Sequence, residues 1–198
     1  MSDIICVTRR VLCGEDFGER LRRLAAARPK ALILREKDLS SAAYRELSRP
    51  ALALCREAGT LCILHNYTEI ALELGCSALH LPLPRLKALP EAERAAFTVL
   101  GASCHSVDEA LAAEALGCTY ITAGHVFDTG CKPDLPGRGL EYLTGVCRAV
   151  RLPVYAIGGV TPENYAAVRA CGAAGACVMS GAMTCADPAA YLAAFEEK

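Results

Sequence analysis

The sequence predicts a compact α/β fold, a single (β/α)8 TIM barrel. Three observations predict it: eight short apolar runs, amphipathic segments between them, and glycines that recur where a helix hands over to a strand. The runs are Ile4–Thr8, Ala31–Arg35, Leu61–His65, Ser77–Leu81, Thr98–Ser103, Thr119–Gly124, Pro153–Ile157 and Gly175–Ser180. Runs this continuously apolar belong to parallel strands buried on both faces. The intervening segments, such as GERLRRLAAARP, SAAYRELSRPALALCREAG and SVDEALAAEALG, place apolar residues at every third or fourth position, the spacing of a helix face. LELGCSALHL, EALGCTYITA and ACGAAGACVM each set a glycine at a helix end just before a strand, because glycine accepts the left-handed conformation that closes a helix. A flavodoxin-like doubly wound sheet would leave two or three of the runs unassigned.

The chain of 198 residues holds one domain with a large core, and no linker or low-complexity tract divides it, so residues 1–198 are taken as one domain. A formal charge of −1 gives no basic field for nucleic acid. No apolar stretch is long enough for a membrane span. The opening MSDIICVTRRVL lacks the order of an export signal, so a cytoplasmic location is expected. The twelve cysteines form no C-x-x-C pair and several lie in apolar runs, which makes them structural thiols, with neither disulfides nor a metal expected. No cofactor is implied. A homo-oligomer is compatible with the sequence, which does not set the oligomeric state.

In such a barrel the chemistry sits where the strands end, and these ends are polar. Arg35, Glu36 and Lys37 follow the second run, His65 and Asn66 close the third, and His80 lies in the fourth. Ser103 and His105 follow the fifth and His125 the sixth. After the seventh and eighth runs come Gly158-Gly159 and Ser180-Gly181, where exposed backbone N–H groups and helix starts suit a phosphate. Thr161, Pro162 and Glu163 read as a helix cap, a first-turn proline and an acidic first turn. The sixth loop, GHVFDTGCKPDLPGRGL, is long and polar, as substrate loops are. His125 opens it beside Val126 and Phe127 and can act as acid or base. Glu36 is either a carboxylate aimed into the rim or a member of an ion-pair cluster with its neighbours.

Together these residues resemble the thiamine phosphate synthase and thiazole tautomerase (TenI) superfamily over nearly the whole chain. LILREKDLS is similar to the synthase's QLREK segment, AIGGV and VMSGAM to its thiazole-phosphate site, and GASCHS to its fifth-strand motif. Three departures from the synthase pattern stand out. Ile33 replaces a glutamine, Tyr67 follows Asn66 where the synthase has a magnesium-binding aspartate, and HLPLPRL, with Arg85, replaces the run holding the second one. Lys37 and Lys132 match synthase pyrophosphate contacts. The sixth loop matches the tautomerase branch, including the histidine that the synthase replaces with proline.

The resemblance therefore implies a thiazole tautomerase that aromatises a carboxylated dihydrothiazole phosphate by proton transfer. His125 would be its catalytic acid/base and Glu36 the counterpart across the site. The thiazole phosphate would meet Arg35, Lys37, Asn66, Ser103, Thr129, Lys132, Gly158 and Gly159, with its phosphate on Gly159, Ser180 and Gly181. Two rivals remain. One is the synthase itself, a transferase joining hydroxymethylpyrimidine pyrophosphate to thiazole phosphate, and the other is a non-catalytic barrel that binds thiamin-related phosphates.

Overall fold

The computed structural model describes residues 2–130 and 134–196. Eight parallel strands close into a barrel in sequence order: β1 (Ile4–Val7), β2 (Ala31–Leu34), β3 (Cys62–His65), β4 (Ala78–Pro82), β5 (Val99–Cys104), β6 (Tyr120–Gly124), β7 (Val154–Ile157) and β8 (Gly175–Val178). All eight expected runs are strands, each shifted at its ends by no more than two residues. The ring is shut by β8 pairing with β1, Ile4 opposite Ala176 and Cys6 opposite Val178.

The helical layer is α1 (Phe17–Ala26), α2 (Ser41–Ala58), α3 (Thr68–Glu73), α4 (Leu83–Ala88), α5 (Glu91–Arg94), α6 (Val107–Ala115), α7 (Gly139–Ala149), α8 (Tyr165–Ala170), α9 (Ser180–Thr184) and α10 (Pro188–Ala193). Asp16, Ser40 and Ser106 cap α1, α2 and α6 by accepting from the amides of Glu19, Ala43 and Glu109. Each cap satisfies a donor with no partner inside its helix. The glycines read as helix closers, Gly75, Gly117 and Gly172, have φ of +65°, +85° and +90°. Two boundaries differ from expectation. Residues 161–164 form a turn in which the Thr161 amide donates to Asn164 Oδ1, so α8 starts at Tyr165. Ser180 opens α9 instead of ending β8.

Strand alternation divides the buried residues between two faces. One set, including Leu24, Leu32, Leu64, Leu79 and Ile121, packs under the helices. The other fills the barrel with Ile5, Val7, Ala31, Ile33, Ile63, Ala78, Tyr120, Tyr155 and Cys177. This inner cluster is a solid floor, and the polar ends of the same strands stand above it. Eleven cysteines among the described residues are free thiols. Burial pushes those of Cys6, Cys104 and Cys118 up to about 12, as expected of small apolar fillers. No helix among the described residues is long and apolar enough to cross a membrane.

Candidate active site at the carboxyl rim

The inner wall over β4–β6 is a chain of hydrogen-bonded side chains. His80 Nδ1 lies 2.9 Å from the Tyr120 hydroxyl and its Nε2 lies 2.9 Å from Ser103 Oγ. Thr122 Oγ1 is 3.5 Å from the same serine. His65 stacks on His80, ring centroids 5.9 Å apart. Burial is the main reason both imidazoles stay neutral, with His80 pushed down to about 3 and His65 to about 2. Neighbouring His80 and the positive charges of Arg35, Lys37 and Arg85 depress His65 further. The Arg35 guanidinium reaches across to Met179 Sδ, 3.7 Å away.

Tyr120 and Thr122 were not among the residues singled out from the sequence, although their alternate positions in YITAG put both side chains inside the barrel. Gly101 is what admits Tyr120, since a Cβ there would lie 2.2 Å from the tyrosine ring.

Glu36 is bound at the end of β2. Its carboxylate accepts from Thr8 Oγ1 at 2.7 Å and from the Arg10 amide at 2.9 and 3.0 Å, fastening the loop after β1 to the end of β2. Burial raises its pKa, and the Thr8 and Arg10 hydrogen bonds pull it back. Thr8 Oγ1 also accepts from the Arg35 amide at 2.9 Å, so the same contact orients the first cation of the rim.

His125 is likewise held within the protein. It is buried, with Nε2 3.0 Å from the Leu135 carbonyl, and its own carbonyl accepts from the Arg138 amide at 3.0 Å. His105 Nδ1 reaches the Gly124 carbonyl at 2.7 Å, fixing the strand end just before it. The sixth loop folds back on itself, with the Gly137 amide donating to Asp128 Oδ1 at 2.7 Å. Thr129 lies on that loop, and Lys132 falls outside the described residues.

The glycines after β7 have a packing reason that the sequence did not disclose. Gly158 and Gly159 have φ of +96° and +66°; a Cβ on the first would lie 2.2 Å from His125 Cβ and on the second 2.5 Å from the Asp128 carbonyl oxygen. The Phe127 amide donates to the Gly158 carbonyl at 3.0 Å. Gly181 lies against Tyr191, whose hydroxyl would be 2.1 Å from a Cβ, so a side chain there would have to displace the tyrosine. These glycines press the sixth and seventh loops together, and whatever backbone they offer a ligand comes with that contact.

The sector around Asn66 does not fit the divalent cation that the synthase pattern implies. Asn66 adopts φ +75°, and its carbonyl accepts from Arg85 Nη1 at 2.9 Å. The Tyr67 hydroxyl donates to the Leu39 carbonyl at 2.9 Å, and its ring rests on Tyr44. A guanidinium and a committed phenol offer no hard anionic oxygen to magnesium.

Comparison with known proteins corrects the reading of the branch. The thiamine monophosphate synthase (TMP-TENI) family model matches residues 4–182. The thiamine-phosphate synthase of Moorella thermoacetica is 36% identical over 192 residues, 94% of this chain and 90% of that protein. That of Syntrophomonas wolfei is 31% identical, covering 90% of this chain and 87% of its own length. The thiamine phosphate pyrophosphorylase structure from Pyrococcus furiosus superposes with a TM-score of 0.84 at 28% identity, covering 98% of this chain and 93% of that one. These relatives carry the synthase name, which overturns the expected tautomerase. In the structure His125 Nε2 meets the Leu135 carbonyl and the Glu36 carboxylate is engaged by Thr8 and Arg10. With nine-tenths of the chain aligned to named relatives and the closed barrel in common, the chain belongs to the thiamine monophosphate synthase family.

Proposed function

We propose that this chain is a transferase of the thiamine-phosphate synthase type, joining a pyrimidine pyrophosphate to a thiazole phosphate. The observation that carries the proposal is that one rim combines a group of cations with glycine turns suited to a phosphate, the two meeting where the Arg35 guanidinium reaches Met179. Arg35, Lys37 and Arg85 lie over β2–β4, and the Gly158-Gly159 and Ser180-Gly181 turns lie over β7 and β8. Either chemistry has two anionic groups to seat, a carboxylate and a phosphate for the isomerase or a pyrophosphate and a phosphate for the synthase. Three cations beside β2–β4 suit the more highly charged pyrophosphate, and the kinship with synthases points the same way.

In this reading the thiazole phosphate sits on the backbone around Gly159, Ser180 and Gly181. The pyrophosphate lies against Arg35 and Lys37, with Lys132 as a further contact. Asn66, Ser103 and Thr129 line the space between. The thiazole nitrogen attacks the pyrimidine methylene carbon, the C–N bond forms as the C–O bond breaks, and pyrophosphate leaves with the bonding pair. The protein's work is to align the partners and to stabilise charge on the leaving group. His125 and Glu36 act as loop anchors, not as proton carriers. A soluble cytoplasmic setting belongs to the same reading.

The test is to incubate the protein with both substrates and follow thiamin phosphate and pyrophosphate together. One-to-one formation is expected, and Arg35→Met should lower turnover by about 10²-fold through loss of charge at the leaving group. A folded protein that forms neither product sinks the proposal.

A further inference from the structure

The rim combines a pyrophosphate-ready sector with a donor set that rejects a divalent cation. At the place where the family pattern calls for carboxylates stand an exposed arginine on α4 and a tyrosine whose hydroxyl is already used. Arg85 is anchored by one of its amino groups to the Asn66 carbonyl at 2.9 Å. That contact fixes the guanidinium at the mouth of β3, on the same sector as Arg35 and Lys37, and leaves further N–H groups of the planar fork to address an anion. Asn66 is itself held there, because its amide donates to the His80 carbonyl at 3.0 Å. The left-handed backbone at Asn66, which asparagine tolerates better than most residues, turns its carbonyl toward Arg85. Of the acids near this sector, Glu36 is engaged with Thr8 and Arg10 and Asp38 with the Arg10 guanidinium, while Glu69 stands exposed in the first turn of α3.

We propose that Arg85 takes the place of a divalent metal ion in this protein, binding the pyrophosphate group together with Arg35 and Lys37 so that the leaving anion is held without magnesium. Magnesium would neutralise the pyrophosphate through oxygen ligands and its own double charge, whereas a guanidinium does so by parallel N–H donors to adjacent phosphoryl oxygens. The inference rests on the transferase reading for its biological meaning, but it concerns a binding property that can be measured alone. Arg85 touches the leaving group in this scheme, so it is a binding residue of the reaction and a determinant of metal independence.

The experiment is calorimetric titration of the protein with inorganic pyrophosphate in excess chelator, repeated with magnesium present. Wild type should bind in chelator, and magnesium should not tighten the binding. Arg85→Gln should weaken it by about tenfold or more, the usual size of a lost charge-assisted contact. Arg85→Lys, which keeps the charge and loses the fork, should fall between the two. Arg85 is on the surface, so thermal melts of both variants should match wild type. Pyrophosphate binding that needs magnesium, or that ignores Arg85→Gln, overturns the inference even if the condensation is observed. Conversely, chelator-resistant and Arg85-dependent binding without any condensation would refute the transferase reading and leave this inference standing.

Discussion

Over β2, β3 and β4 the rim is made of side chains, Arg35, Lys37, His65, His80 and Arg85, whereas over β6 and β7 it is made of glycines pressed against the neighbouring loop. In the first sector the strand positions accept many shapes, and the chemistry lies in charge and hydrogen bonding. In the second, Gly124, Gly158 and Gly159 leave no room even for a methyl group, with built Cβ atoms 2.2–2.5 Å from neighbouring atoms. A ligand-facing surface can thus be specified in two ways, and each fails differently. Side-chain sectors should lose affinity on substitution while keeping the fold. Backbone sectors should lose the fold first.

The sharpest way to break this contrast is Gly158→Val. A Cβ there collides with His125, and a branched residue must also adopt φ +96°. Strain and overpacking together should cost about 3 kcal/mol or more of stability. Chemical denaturation reads the loss directly. A variant as stable as wild type would mean that the seventh loop is free to move and that its glycines serve the ligand alone.

Next in size is the acid response of the side-chain sector. His65 and His80 are held neutral in the folded protein at about 2 and about 3, below the usual imidazole value. The unfolded chain therefore binds more protons between those values and about pH 6.5, and stability falls as pH drops through that window. Glu36, raised by burial, works in the opposite sense and offsets part of the loss. Urea midpoints should show a loss of about 2–3 kcal/mol between about pH 7.5 and 5.5. His80→Asn should remove roughly half of that slope. An unchanged midpoint would mean that the imidazoles are open to water and the sector is looser than its hydrogen bonds imply.

The smallest expected effect is His125→Gln. A glutamine amide can still donate to the Leu135 carbonyl, so stability should change by less than about 1 kcal/mol and condensation by less than about threefold. A loss of about 10²–10⁴-fold would point to proton transfer by the imidazole and reopen its catalytic role.

The barrel was legible because its signal is periodic and local. Eight apolar runs, their helical intervals and the glycines at 75, 117 and 172 each declare themselves within a few residues. The polar ends were legible for the same reason, and Arg35, His65, His80 and Ser103 stand where the strand ends put them. What the sequence hid depends on neighbours far along the chain. Nothing near Glu36 announces that Thr8 and Arg10 will claim its oxygens. Nothing near Gly158 announces His125 at its back. The His80–Tyr120 contact skips a strand, and only the Gly101 gap between them makes it fit. The branch assignment went astray because one loop motif was weighed above the likeness of the whole chain, which aligns with synthases over nine-tenths of its length.

One atom outside the barrel has a reach that its position conceals. The hydroxyl of Tyr44, a fully buried residue of α2, donates to the Leu34 carbonyl at 2.6 Å and accepts from the His65 amide at 2.9 Å. The ends of β2 and β3 are thus spaced by a single oxygen, immediately before Arg35 and at His65. The helical shell is therefore a gauge for the gap between an arginine and an imidazole, and not merely insulation around it. Any redesign of specificity confined to the rim would inherit a spacing set one layer further out, where a change from phenol to phenyl would alter the tuning of the site without coming near a ligand.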